Sequence, residues 1–181
     1  MALSKCSLNH VALSVPSVEA AAEWYQVVFG FRRLRDDVLF SRITDPDKVI
    51  FKNKFNADIT VIVTTDSDSN TVKVAYLVTE DDTGFELFEF IDPPYRRLVP
   101  VSERDPSAFT PEMYCRGGFF HIAITVEDVG ATCEIVISNG GTQIGKTIKM
   151  GSDRALYLKD PWGNVIELLT RNFVDVVRGN Q

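Results

Sequence analysis

The chain has two histidines, His10 and His121, and each opens a copy of the same short phrase. The first copy reads His10-Val11-Ala12-Leu13-Ser14-Val15 and the second His121-Ile122-Ala123-Ile124-Thr125-Val126. Both fit His-x-Ala-x-Ser/Thr-Val, 111 positions apart, and at that offset Val18 matches Val129, Ala20 Ala131, Glu23 Glu134 and Gly30 Gly141. An ungapped match of this length marks an internal duplication. A closing phrase repeats as well: Gly84-Phe85-Glu86-Leu87-Phe88 parallels Val165-Ile166-Glu167-Leu168-Leu169, with Glu-Leu in register. Each copy therefore supplies one imidazole near its start and one carboxylate near its end. Those are the donors that suit zinc, nickel, cobalt, manganese or iron. His10, Glu86, His121 and Glu167 together predict a divalent-metal site, and four ligands in an octahedral shell leave two positions for water or substrate oxygens. A lone histidine or glutamate on a strand is usually a satisfied surface or core group; the paired recurrence is what raises these four above that reading.

The elements around them follow from periodicity. Residues 7–15 alternate, with Val11, Leu13 and Val15 on one face and His10, Ala12 and Ser14 on the other, as in a half-buried strand. Ser17 is placed to cap a helix whose apolar stripe is Val18, Ala21, Ala22, Tyr25, Val28 and Phe29, ended by Gly30. A strand region with an irregular end follows over 31–42, and 44–57 reads as a short helix or a loop. Residues 58–64 are β-rich, 66–70 a polar turn, 72–78 a strand, 80–84 a turn and 85–91 a strand carrying Glu86 and Glu89. Glu89 is three positions from Glu86 and so points to the opposite face, which favours Glu86 as the ligand. The second copy repeats the plan: a strand over 119–126, a helix over 129–138 stopped by Asn139-Gly140-Gly141, strands over 142–149 and 154–159, a turn at 160–164 and a last strand over 165–170. In each copy the apolar faces must pack on the helix, leaving His and Glu on the concave side of the sheet. The fold class is thus α+β, two tandem βαβββ modules whose sheets curl around a metal-binding cup.

The first module runs over 1–92 and the second over 118–170. His10 and Glu86 are 76 positions apart but His121 and Glu167 only 46, so the first module carries about 30 extra residues within 36–70. Residues 93–117 read as a Pro-rich linker or a cover for a pocket, since five of the eight prolines fall there. Residues 171–181 are a loose end or a docking segment. The chain has 181 residues with a formal net charge of −6, which gives no cationic surface for nucleic acid or an anionic membrane. Cys6, Cys115 and Cys133 lack metal-binding or disulfide spacing and read as free thiols. No leader and no apolar run long enough to span a bilayer is visible, so a cytoplasmic protein is expected.

Over nearly all of residues 7–170 the sequence resembles the vicinal oxygen chelate superfamily, which includes glyoxalase I, fosfomycin-resistance transferases, extradiol dioxygenases and bleomycin-resistance proteins. The likeness is carried by LNHVALSVPSVEAAAEWYQVVFGF and GFELFEF in the first module. FFHIAITVEDV, NGG and YLKDPWGNVIELL carry it in the second. The resemblance implies paired βαβββ modules around one metal, with His10, Glu86, His121 and Glu167 as ligands, and substrate oxygens chelating that metal. It also implies a homodimer. Tyr157, ten residues before Glu167, falls where the fosfomycin-resistance transferases have a tyrosine in the site; a packed strand aromatic is the plain alternative.

The complete ligand set is most similar to that of glyoxalase I. The resemblance then implies a lyase or isomerase acting on a small molecule with neighbouring oxygens, with Glu86 or Glu167 moving a proton between adjacent carbons. A cyclase or isomerase of secondary metabolism would carry the same signature. An iron(II) ring-cleaving dioxygenase is a second class, against which the fourth ligand weighs. A non-catalytic, bleomycin-resistance-like binding protein is a third, and would rely on aromatic residues near the cup such as Phe88, Tyr157 and Trp162. Arg96, Arg97, Arg116 and Lys149 are candidates for an anionic substrate group, though solvated charge is the ordinary role of each.

Overall fold

A computed structural model describes residues 7–41, 51–52, 58–59, 71–96 and 118–178. The chain divides into two compact units, Met1–Arg96 and Arg97–Gln181. It is an α+β protein with two mixed sheets of the same topology, one in each unit.

In the first unit the strands are β1 (His10–Ser14), β2 (Arg32–Arg33), β3 (Val38–Ser41), β4 (Phe51–Lys52), β5 (Asp58–Ile59), β6 (Thr71–Val78) and β7 (Gly84–Asp92). The main sheet runs β1-β7-β6-β2, with β3 also pairing β6, and β4 with β5 forms a separate small ladder. The strand region expected over 31–42 is thus broken in two, and both pieces pair with β6. β1 lies parallel to β7, the first strand of the unit beside its last. Helix α1 (Val18–Phe29) crosses between β1 and β2. Ser17 is its N-cap, with Oγ accepting from the Ala20 N–H, and Gly30 closes it at φ 68°, a left-handed turn that costs a glycine nothing. Its buried stripe of Val18, Ala21, Ala22, Tyr25 and Val28 packs on β6 and β7. There it meets the sheet's apolar face, where Leu13, Ala75, Leu77, Phe85 and Leu87 are all buried. Tyr25, Phe31 and Phe85 stand with ring centres 4.7–5.8 Å apart.

The second unit has β8 (Ile122–Thr125), α2 (Val129–Ser138), β9 (Thr142–Met150), β10 (Asp153–Lys159), β11 (Val165–Leu169) and α3 (Phe173–Arg178). Its sheet runs β8-β11-β10-β9, with β8 parallel to β11. Asp128 caps α2 by accepting from the Gly130 and Ala131 N–H groups. Two carboxylates fix the ends of the β10–β11 hairpin. Asp160 accepts from the N–H of Trp162 (3.0 Å) and of Asn164 (2.8 Å) and so holds the turn. At the other end Asp153 is gripped bidentately by Arg171 and bonded by Thr170. Residues 171–181, expected as a loose end or docking segment, hold α3 over 173–178, on which no residue is buried. Short as it is, it starts from a local cap: the Asp175 N–H bonds Asn172 Oδ1.

Of the stretch 44–57, expected as a short helix or a loop, only Phe51–Lys52 is described, and it is a strand that pairs with Asp58–Ile59, the start of the β-rich stretch expected over 58–64. Residues 42–50, 53–57, 60–70 and 97–117 lie outside the described residues, and with them Arg97, Arg116, the polar turn and most of the Pro-rich linker. Cys133 is a buried free thiol; Cys6 and Cys115 are outside the described residues too.

Candidate functional site

Parallel pairing of first and last strands is what joins each histidine to its glutamate. In unit one Ala12 is opposite Glu86 and His10 opposite Gly84, so imidazole and carboxylate are diagonal neighbours on one face. His10 Nε2 lies 3.5 Å from Glu86 Oε2. In unit two Ala123 is opposite Glu167, and His121 Nε2 lies 3.1 Å from Glu167 Oε2. The alanine between each pair keeps that face open. Glu89 is on the reverse face, where its Oε2 accepts the Val18 N–H at 3.0 Å and serves the N-terminus of α1.

The pairs are alike in plan and unlike in enclosure. His10 and Glu86 side chains are 47% and 22% exposed, His121 and Glu167 26% and 16%. In β11 every residue except Glu167 is buried, including Val165 and Leu169 on its own face. A carboxylate in that setting needs partners. It has two: His121, and the hydroxyl of Tyr157, which stands opposite it in the β10–β11 register. Burial, then the bond to Glu167 and its charge, push the Tyr157 hydroxyl above its ordinary pKa, so it stays protonated and donates. Tyr157 also meets His121 edge-on at 5.4 Å, and Phe120 meets both rings.

The donor chemistry fits a bound cation. His10 Nδ1 is 2.7 Å from Asn9 Oδ1, an acceptor, so Nδ1 donates there and Nε2 is the ring nitrogen left for Glu86 or a cation. A lone pair and a carboxylate directed at each other are tolerated only with a proton or a metal ion between them. His121 Nδ1 is buried without a hydrogen-bond partner. Among the described residues no group of three or more His, Cys, Asp or Glu side chains stands together; each unit holds one His–Glu pair.

The other sequence candidates distribute as follows. Phe88 shares the face of Glu86 two residues on, but packs with Phe90 against Val72 and Val74. Trp162 is in the turn beyond the last ladder pair of β10 and β11. Arg96 lines a cavity of about 380 Å³ with Ser14, Phe90, Pro93, Pro94 and Tyr95. Lys149 is exposed on β9. His121, expected on a strand, falls one residue before β8, because the ladder there begins at Ile122–Ile166.

Sequence reasoning missed Tyr76. It pairs with Glu86 across β6 and β7 as Tyr157 pairs with Glu167. Burial and the Glu86 charge raise its hydroxyl pKa, and the nearby Arg35 works the other way. The signal was present: the offset of 81 that aligns Glu86 with Glu167 also aligns Tyr76 with Tyr157.

Known proteins resemble this chain. A protein named 2-epi-5-epi-valiolone epimerase from Actinomyces sp. is 27% identical over 169 residues, 90% of this chain and 78% of that protein. A glyoxalase family protein from Bacillus cereus superposes with a TM-score of 0.62 at 20% identity, covering 93% of this chain and 97% of the other. A fosfomycin resistance protein from Listeria monocytogenes, solved with Mn(II) and sulfate, superposes with a TM-score of 0.54 at 13% identity over 96% and 99% of the two chains. The family model for the Glyoxalase/Bleomycin resistance protein/Dioxygenase superfamily matches residues 7–168. With its duplicated βαβββ plan and twin His–Glu pairs, the chain belongs to that superfamily.

Proposed function

We propose that this protein is a metal-dependent lyase or isomerase of the glyoxalase type, acting on a small molecule that presents neighbouring oxygens. The carrying observation is the twin pair itself: in each unit an imidazole Nε2 stands 3.1–3.5 Å from a carboxylate oxygen. On this reading His10, Glu86, His121 and Glu167 hold one divalent ion, brought together within one chain or between two copies. When bound, the ion would polarise a substrate carbonyl and steady the negative charge that forms on its oxygen. The protein's own residues do the rest. Tyr157 and His121 restrain Glu167, which suits a ligand that stays in place. Glu86 makes a longer, more exposed contact with its histidine, and Tyr76 opposite it interacts through charge where Tyr157 hydrogen-bonds Glu167, which suits a base. Its carboxylate takes the proton from the carbon beside the carbonyl and returns it to a carbon of the same substrate. Return to the neighbouring carbon isomerises the substrate; inversion of the same centre would need a proton delivered from the opposite face by a second group, for which Glu167 is the candidate. The epimerase name of the Actinomyces relative and the Mn(II) in the Listeria protein support this class of chemistry.

Elemental analysis of protein purified without chelator tests the reading, on wild type, His121→Ala and Glu86→Gln. About one divalent ion per site is expected in wild type and loss of it in His121→Ala. Metal-loaded protein should then exchange the α-hydrogen of small hydroxy-ketones with deuterated solvent, and Glu86→Gln should not. Iron with oxygen uptake on catechols would instead indicate a dioxygenase. No metal in wild type, even after adding ions back, would overturn the catalytic reading and leave a ligand-binding protein.

A further inference from the structure

The duplicated plan is broken at one place on the site face of unit one. Across the sheet the face carries His10 on β1, Glu86 on β7 and Tyr76 on β6, and beside Tyr76 comes Arg35. Its guanidinium carbon lies 5.7 Å from the centre of the Tyr76 ring. Arg35 belongs to the short connection between β2 and β3, which is pinned on both sides. The Leu34 N–H donates to the Tyr76 carbonyl at 2.9 Å, and Val38 pairs with Val74. Neighbouring cations are neutralised: Arg32 by Asp82 at 3.3 Å, and Arg33 and Lys73 by Asp37 at 2.8 and 3.5 Å. For Arg35 no carboxylate partner occurs among the described residues, although it is half-buried. At that distance the guanidinium is within cation–π range of the ring, a contact that uses none of its N–H donors and so leaves them for a carboxylate or phosphate. Among the described residues the second unit shows no such device. There the position 111 residues on is Lys146, exposed on β9, and the partner that shifts Tyr157 is Glu167.

We infer that Arg35 on its Tyr76 shelf is an anion subsite, which takes a carboxylate or phosphate of the substrate whose neighbouring oxygens engage the His10–Glu86 side. Two strand spacings, about 10 Å between backbones, separate Glu86 from the line of Arg35, with Tyr76 between them. The substrate is then small, with its anion a few bonds from its vicinal oxygens. The metal-chelating part of this statement rests on the proposed function; the anion subsite does not.

Two measurements on the full chain separate them. In the first, inorganic phosphate and acetate are titrated into metal-free protein and the Arg35 Nε–Hε resonance is followed, assigned by its loss in Arg35→Gln. A saturable shift is expected, and which anion gives the tighter one distinguishes phosphate from carboxylate; no shift with either overturns the subsite. In the second, metal-loaded wild type, Arg35→Gln and Arg35→Lys are titrated with phosphoglycolohydroxamate and with uncharged glycolohydroxamate. Arg35→Gln should weaken the anionic probe about 10- to 100-fold and the neutral one less than about twofold, with Arg35→Lys between. Equal loss for both probes would mean a structural role and would overturn the inference. If neither hydroxamate binds wild type while the Arg35 resonance still titrates, the metal reading fails and the anion subsite stands.

Discussion

Gly84 is where the first His–Glu pair is most open to a small perturbation. A Cβ added there would stand 2.8 Å from the His10 Cβ and 3.3 Å from the Asn9 carbonyl oxygen. Carbon–carbon contacts are comfortable at about 3.5–4.0 Å, so Gly84→Ala must push the start of β1 away by roughly 1 Å. The same movement strains the bond from the Gly84 N–H to the Asn9 oxygen, now 3.1 Å. Overpacking of this size costs about 1–3 kcal/mol. The second unit shows the direction of relief: it has Val165 at the equivalent position, and its ladder begins one residue later, at Ile122–Ile166. Gly84→Ala should likewise release His10 from the ladder. Urea unfolding gives the stability change, and amide hydrogen exchange at Gly84 should quicken. If stability and exchange at Gly84 are both unchanged, the crowding argument is wrong.

Three further outcomes are expected. Glu89→Gln removes a charge at the N-terminus of α1 and should cost about 0.3–1 kcal/mol without altering metal content, whereas Glu86→Gln should do the reverse; equal metal loss in both would contradict the assignment of faces. Leu168→Ala, at a fully buried position on β11, should cost about 2–5 kcal/mol, read by denaturant midpoint. Asp153 has its pKa lowered, first by the hydrogen bond from Arg171, so it favours the folded state above its unfolded pKa of about 3.9. That contribution is lost as pH falls through the lower folded value. The stability gap between wild type and Asp153→Asn should therefore be full near neutral pH and shrink on acidification below about 4; a gap that does not change with pH would refute the pairing argument.

Local signals were the legible ones. The Ser17 cap and the Gly30 stop bound α1 as its apolar stripe predicts, and α2 occupies the same ten residues that periodicity assigns it. The α+β plan of two like modules follows from the repeated phrases, because a duplicated strand–helix–strand pattern has few ways to bury its stripes. Long-range features were less legible. Alternation assigns Glu86 and Glu89 to opposite faces, but that Glu89 serves α1 depends on a contact 71 residues away. Tyr76 escaped notice because an aromatic on an apolar strand has no local mark; only its pairing with Glu86 gives it meaning. The α3 helix begins from a three-residue Asn172–Asp175 cap too slight to outweigh the polar tail around it.

The parallel neighbours β1 and β7 also set an order of events in synthesis. Once His10 is made, Glu86 on its partner strand arrives 76 residues later, which at about 5–20 residues per second is on the order of 4–15 s. Throughout that interval β1 has no last strand to pair with, and Leu13 has no Leu87 beside it. The second unit waits only 46 residues, and its shorter closure is cheaper by about 0.4 kcal/mol. The nascent first unit is accordingly the stage at which this chain most needs protection from aggregation, and the insertion that separates β1 from β7 lengthens that exposure.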